Sequence, residues 1–271
     1  MRLGRRYTRC VQSPEEASIL DVALSAARAA GDVLRRAFHR PHSVHSKADA
    51  SIVTEADLES EQTIRSLIAK RFPDHAILAE ESGRTENTSR FTWVIDPLDG
   101  TKNFVRHVPL FSIEIAVLRD GVPIVGVSYV PLMEDLLWAI RGNGAFSNHR
   151  PIHVSATERL DGAYVSYGNL KHFVRFCKLG GLTALLEKAF QCRGIGDSWS
   201  FHLLAQGNID VFADAWTAFW DVAALSVIVE EAGGIVTDIE GHPLTEDSRS
   251  VLASNSCLHP EALRYLRCGQ F

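Results

Sequence analysis

Phe91-Thr-Trp-Val-Ile95, followed at once by Asp96-Pro-Leu-Asp99-Gly-Thr101, is the stretch on which both the fold and the chemistry turn. The first run has the length and β-favouring composition of a buried strand. It ends abruptly in carboxylates, and acids flush against buried apolar chain lose several kcal/mol of solvation unless something neutralises them. Pro97 stiffens the link between the two acids, and Gly100 lets the backbone approach closely. Thr101-Lys-Asn-Phe104 reads as the first turn of a helix, whose free N–H groups favour a phosphate.

Moving outward, the same pattern recurs. Glu80-Glu81 ends the apolar run Ala76-Ile-Leu-Ala79, Thr54-Glu-Ala-Asp57 opens a helix, and Trp220-Asp221 opens another element. A hard divalent cation is the obvious neutraliser. Mg²⁺ takes oxygen ligands and keeps waters that a phosphate can displace, whereas zinc wants the clustered His and Cys that this chain lacks. Taken singly, each piece has a bland meaning: D-x-x-D as a turn or cap, Glu80-Glu81 as a solvated strand end, Trp220-Asp221 as an N-cap, and Lys47, Asp49, His42 and His45 as loop residues. Their order and their flanking strands point instead to a metal-assisted phosphomonoesterase.

Other chemistries find no support. Gly142-Asn-Gly144 is not a dinucleotide fingerprint, because position 147 is Ser147, and the chain has neither a G-x-S-x-G elbow nor a phosphate-binding G-x-x-x-x-G-K-[ST] loop. Trp199 and Trp216 read as core or pocket wall. The 28 Lys+Arg against 33 Asp+Glu leave a net charge of −5 without a basic stripe, so nucleic acid is a poor partner. Charged residues interrupt every apolar run before a bilayer could be crossed. The five scattered cysteines, Cys10, Cys177, Cys192, Cys257 and Cys268, fit reduced thiols, and the chain reads as a cytoplasmic protein.

The elements alternate throughout. Ser13-Pro-Glu-Glu16 predicts an N-cap closed by a capping box, with Ile19, Val22, Ala26, Ala30, Val33 and Ala37 as the helix's apolar face. A second helix follows Thr54, with Leu58, Ile64, Leu67, Ile68 and Phe72 turned inward and Pro73 as its stop. Antiparallel hairpins fill 112–146, turning at Arg119-Asp-Gly121 and Gly142-Asn-Gly144. Helices over 182–190, 200–206 and 221–232 alternate with strands over 209–213, 235–239 and 251–253. The class is α+β or a layered αβαβα stack. Residues 1–12 read as a flexible tail, 13–150 as an N-terminal α+β half with most metal ligands, and 151–271 as a C-terminal α/β half, one compact unit with a soft boundary.

With Glu80-Glu81-Ser, Asp96-Pro-Leu-Asp-Gly-Thr101 and Trp220-Asp-Val-Ala223 in this order, the chain resembles the inositol monophosphatase superfamily over nearly its whole length. The resemblance implies the layered sugar-phosphatase fold, usually as a homodimer, and two or three Mg²⁺ ions replaceable by Mn²⁺. It makes Glu80, Asp96, the Leu98 carbonyl, Asp99 and Asp221 metal ligands. Thr101 and Asp57, helped by Glu80, become the pair that orients and deprotonates the attacking water. Gly100 and Thr101 N–H groups hold the phosphate beside Asp99, and Lys47 reaches a further metal or the phosphate.

For the substrate, Gly196-Asp197-Ser198 and Asp214 depart from the inositol-phosphatase pattern. Gly-Thr-Lys-Asn-Phe-Val-Arg106, Val108-Pro109 and Gly196-Asp-Ser-Trp-Ser200 are similar to the histidinol-phosphate phosphatase branch. Histidinol phosphate carries an ammonium and an imidazole, for which Asp197 and Asp214 are suitable partners. The expected activity is therefore Mg²⁺-dependent hydrolysis of L-histidinol phosphate in histidine biosynthesis, with Asp197, Ser198 and Asp214 reading the substrate. The alternatives are inositol 1-phosphate, then another sugar or nucleotide phosphate, then a non-catalytic phosphate-binding protein. For Asp197 the bland reading is a helix-capping acid.

Overall fold

A computed structural model describes residues 13–40, 43–46, 52–85 and 87–267. The tail 1–12, His42, Lys47, Asp49, Cys10 and Cys268 lie outside the described residues. The chain opens with α1 (Pro14–Phe38), the paired strands β1 (Val44–Ser46) and β2 (Ile52–Thr54), and α2 (Glu55–Arg71). β3 (Ala76–Ala79), β4 (Gly83–Thr85), β5 (Phe91–Asp99) and the short helix α3 (Thr101–Val105) follow. Next comes the meander β6 (Ser112–Arg119), β7 (Val122–Val130), β8 (Asp135–Ile140), β9 (Ala145–Ser147) and β10 (Arg150–Ile152). The remainder is β11 (Tyr164–Tyr167), α4 (Leu170–Arg175), α5 (Leu179–Leu186), β12 (Gln191–Arg193), α6 (Asp197–Ala205), β13 (Val211–Asp214), α7 (Phe219–Glu231), β14 (Gly234–Thr237), β15 (Val251–Asn255) and α8 (His259–Arg267).

These elements stack as αβαβα. An eight-stranded sheet, ordered β10-β9-β8-β7-β6-β5-β3-β4, and a five-stranded sheet, ordered β12-β11-β13-β15-β14, each carry helices on both faces. Ile19, Ala23, Ala27 and Leu34 of α1 pack with Trp93, Ile95, Ile113, Ile115 and Val127 on the outer face of the larger sheet. Strand alternation turns Val94, Ala116 and Leu118 to the other face, where Phe219, Ala223 and Ala224 of α7 meet them. α6 and α7 thus form the middle layer, joined to the second sheet through Phe201, Leu225, Phe212 and Ala253. Beyond that sheet, α5 and α8 cover Val165, Val211 and Leu252 with Leu182, Leu185 and Leu266. Asp96 follows Val94 on the same side of β5, so the key acid faces the middle layer.

Several local expectations change. Ser13 caps α1 by accepting the Glu16 N–H (3.1 Å), but the capping box stays open because the Glu16 carboxylate takes Arg119 instead (2.7 Å). Leu58 is 53% exposed, since Asp57, Ser60 and Glu61 occupy the buried face of α2 beside Ile64 and Ile68. β5 does not stop at Ile95; it runs to Asp99 through a register irregularity between Asp96 and Asp99, which accommodates Pro97 inside a central strand. Trp216 is 43% exposed and stacks on Phe176, so it is not core. Cys177, Cys192 and Cys257 are free thiols. Among the described residues no helix is long and apolar enough to cross a membrane.

The contact between β7 and α7 is tight enough to test. A Cβ on Gly126 would lie 2.2 Å from the Ala224 carbonyl oxygen, whereas one on Gly162 would meet nothing nearer than 3.8 Å. Gly126→Ala is expected to destabilise by about 1–3 kcal/mol in urea denaturation, with Gly162→Ala staying within about 0.5 kcal/mol of wild type.

Candidate active site

The acids reach one cleft because strand register and helix starts place them there. β3 and β5 are parallel with Ala79 opposite Ile95, and the Glu80 N–H donates to the Ile95 carbonyl (3.1 Å), so Glu80 leaves its strand beside Asp96. α2 braces this corner. Glu61 accepts the N–H groups of Glu81 (2.9 Å) and Ser82 (3.2 Å), and the Ser60 hydroxyl donates to the Pro97 carbonyl (2.8 Å). Asp96 accepts the Leu98 N–H (3.0 Å), and Asp99 accepts the Ser198 N–H from the start of α6 (2.9 Å). Asp221, in the first turn of α7, accepts the Ala218 N–H (2.8 Å) and the Thr217 hydroxyl (3.0 Å).

Asp57 and Thr101, expected to activate water, are brought together the same way. Asp57 closes the cap of α2 by accepting both the N–H (2.8 Å) and the hydroxyl (2.6 Å) of Thr54 through one oxygen. Its other oxygen lies 3.2 Å from the Thr101 hydroxyl, which is also 3.1 Å from the Leu98 carbonyl. Gly100 caps α3 with φ 83°, and a Cβ there would stand 2.9 Å from the Leu110 carbonyl oxygen, so the position demands glycine.

Crowding dominates the electrostatics. Burial, then the charges of Glu80, Asp99 and Asp221, push Asp96 well above the usual carboxylate range. Burial and the charge of Asp99 push Asp221 up to about 8. Asp99 is raised by burial against the relief given by Ser198, and Asp57 is raised by burial despite its hydrogen bonds.

The donor set fits a hard cation: Asp96, Asp99, Asp221 and Glu80 offer oxygen alone. Asp96 and Asp221 each take these hydrogen bonds through one carboxylate oxygen. The expected shell is nonetheless not closed, for among the described residues no three His, Cys, Asp or Glu side chains already surround one point at ligating distance. Backbone N–H groups of Leu98, Ser198 and Ala218 fix the Asp96, Asp99 and Asp221 carboxylates where they stand.

The residues expected to read the substrate divide. Asp197 is exposed; it has φ 47° and accepts a hydrogen bond from Asn103 of α3 (3.2 Å). It does not cap α6, since the N-cap is Gly196. A crowded surround and the charges of Asp99 and Asp214 push its carboxyl up to about 7. Ser198, expected to touch substrate, is instead buried, with its hydroxyl 2.6 Å from that of Ser112 and its N–H on Asp99. Asp214 is also buried and already accepts from Trp216 N (3.1 Å) and Asn169 N (3.3 Å), with the His172 ring at 3.2 Å. One of its oxygens stands where a Cβ on Gly168 would be, 1.7 Å away, so Gly168 leaves the room this carboxylate occupies.

Glu61, Ser60 and Thr217 escaped the sequence reading. For the first two a signal existed: Asp57, Ser60, Glu61, Ile64 and Ile68 form one buried stripe at helical spacing.

An αβαβα stack that carries acids from separate elements to one cleft at the start of a short helix is the layered sugar-phosphatase architecture. The sequence profile of the inositol monophosphatase family matches residues 15–270; the chain belongs to that family and, with it, to the phosphoric monoester hydrolases. It is 36% identical over 232 residues to a histidinol-phosphatase of Mycobacterium tuberculosis, covering 83% of this chain and 88% of the relative. It is equally 36% identical over 257 residues to inositol monophosphatase 3 of Solanum lycopersicum, covering 91% and 96%. Among solved structures, the extragenic suppressor protein SuhB of Bartonella henselae superposes with a TM-score of 0.89 at 32% identity, covering 93% of this chain and all of that one (100%). Enzymes of this family are generally magnesium-dependent.

The raised carboxyls have a consequence for stability. Between the ordinary carboxylate range and about 8, folded Asp221 and its neighbours hold protons that the unfolded chain has released, so the stability of metal-free protein falls as pH rises through that window. Thermal unfolding of metal-free protein is expected at a higher midpoint at pH 5.5 than at pH 8, other titrations being equal in an Asp96→Asn/Asp221→Asn control that flattens the difference. Added Mg²⁺ should raise the midpoint more at pH 8 than at pH 5.5, because it competes with those protons.

Proposed function

We propose that the protein hydrolyses L-histidinol phosphate to L-histidinol and inorganic phosphate, with Mg²⁺ held by Glu80, Asp96, the Leu98 carbonyl, Asp99 and Asp221. When bound there, the metal supplies Lewis acidity for the phosphoryl oxygens and the leaving alkoxide. The protein's own residues do the rest. The Thr101 hydroxyl accepts a hydrogen bond from the attacking water while its proton moves toward Asp57, 3.2 Å away. The raised affinity of Asp57 for a proton, caused by its burial, suits a base better than an ordinary exposed carboxylate. N–H groups of Gly100 and Thr101 orient the phosphate at the start of α3.

The observation that carries the substrate is Asp197. It is an exposed carboxylate in a left-handed backbone, tied to Asn103 two residues beyond Thr101 and one residue before the N–H that holds Asp99. A neutral polyol phosphate has no need of that charge, whereas an ammonium does. The relative from M. tuberculosis bears the name histidinol-phosphatase, which supports the reading; the equal identity to an inositol monophosphatase leaves the choice to this residue.

Phosphate release from L-histidinol phosphate and myo-inositol 1-phosphate, measured in parallel over a Mg²⁺ series, tests it. Wild type should prefer the histidinol ester, and Asp197→Ala should lower kcat/KM on that ester about 10- to 100-fold, the size of a lost charged hydrogen bond, with little change on the inositol ester. Equal or better turnover of the inositol ester by wild type would discard the substrate assignment. Asp96→Asn should abolish turnover of both at limiting Mg²⁺, and wild-type rates in that variant would discard the metal assignment.

A further inference from the structure

A buried polar chain runs through the middle of the molecule that the proposed chemistry does not use. α6 presents Ser198, His202 and Gln206, its C-cap, at successive intervals of four, hence on one side of the helix. All three meet the larger sheet or the turn beside it. Ser198 Oγ lies 2.6 Å from Ser112 Oγ on β6, and His202 Nε2 lies 2.6 Å from Ser128 Oγ on β7. His202 Nδ1 lies 2.9 Å from an Asp135 oxygen, to which the Gln206 amide also donates (3.0 Å). The other Asp135 oxygen accepts the Ser147 hydroxyl (2.9 Å).

On the sheet side, Glu114 gathers the two serines. Its Oε1 accepts from Ser112 (2.6 Å) and Ser128 (2.8 Å), the latter directly opposite it in the β6–β7 register, while its buried Oε2 has no partner. Ser112, Glu114, Ser128 and His202 are all 0% exposed. Asp135, His202 and Ser128 have the connectivity of a hydrolytic triad, yet a serine sealed from solvent meets no substrate carbonyl. The arrangement is a clamp.

A clamp is what this helix requires. Phe201 and Leu204 dock α6 by apolar packing, which is non-directional and gives little resistance to sliding. One residue of slippage is about 1.5 Å, which hydrogen bonds of this length do not tolerate. Burying an acid with an orphaned oxygen lowers stability, and what it gives in return is a unique register.

We propose that His202 is a positioning residue: through Ser128, Glu114 and Asp135 it fixes the axial register of α6 on the sheet, and so sets the Ser198 N–H against Asp99 and Asp197 against the substrate. The Asp197 arm rests on the substrate reading above; the Asp99 arm does not. His202→Leu in the full chain tests both, with His202→Gln as the conservative rescue and Ser128→Ala as the variant that breaks the same chain with minimal change in volume. Expected results are cooperative thermal unfolding, a calorimetric Mg²⁺ dissociation constant raised roughly 10-fold, and a preference for L-histidinol phosphate over inositol 1-phosphate reduced roughly 10-fold, both partly restored in His202→Gln. If His202→Leu does not fold, Ser128→Ala is expected to show the same two shifts. Folded variants with a lowered unfolding midpoint but wild-type Mg²⁺ affinity and selectivity would overturn the proposal and leave the chain a purely structural feature. If wild type itself shows no preference for the histidinol ester, the substrate reading fails and the Mg²⁺ affinity alone decides: raised in the variants, the register role stands; unchanged, it falls.

Discussion

Carboxylates that repel one another are held in a single buried cleft, and the rest of the structure is arranged around keeping them there. Asp96, Asp99 and Asp221 are raised above the ordinary carboxylate range by burial, and Asp96 and Asp221 also by neighbouring acids. Such a cluster is a liability to the fold by itself. On the function proposed above, a divalent cation offsets that cost, because the same repulsion then becomes affinity for the metal.

The scaffold meets the repulsion with backbone geometry. Each of those three acids is tied by a neighbouring N–H: Leu98 for Asp96, Ser198 for Asp99 and Ala218 for Asp221. The tether on Asp96 lies in the irregularity of β5, while the other two lie where helices of the middle layer begin. Those helices are pinned between two sheets, so the site inherits the rigidity of the αβαβα stack. Glu61 and Ser60 extend the same logic from α2, holding the corner from which Glu80 departs.

What was legible in the sequence was local. Asp96 to Thr101, Glu80 after its strand, Thr54 with Asp57 at a helix start and Asp221 at another could be read from chain order and capping chemistry alone. So could the hairpin at Asp120 and Gly121, whose positive φ values of 52° and 81° match a two-residue turn. The layered architecture followed from the alternation of these elements together with the family resemblance. What could not be read depends on contacts distant in sequence. The stretch 182–190 looked like one helix, but α5 spans Leu179–Leu186 and leaves Phe190 76% exposed. β11 and β12 are too short to announce themselves, whereas α8 carried a signal that went unused: Pro260 in its first turn, with Ala262 and Leu266 on one buried face. The partners of Ser198 and Asp214, Ser112 and His172, are invisible until the sheets are stacked. Glu114 is one acid in an apolar strand, and only the fold shows that two serines and a histidine await it.

Diffraction from a crystal soaked in Mn²⁺, with data collected at the manganese edge, tests the central claim directly. Anomalous peaks bounded by Asp96, Asp99, Asp221 and Glu80 are expected, with the Asp96 and Asp221 side chains turned so that their second oxygens face the metal. Saturating Mn²⁺ that leaves this cleft without a peak, or a peak held by other residues alone, would contradict it.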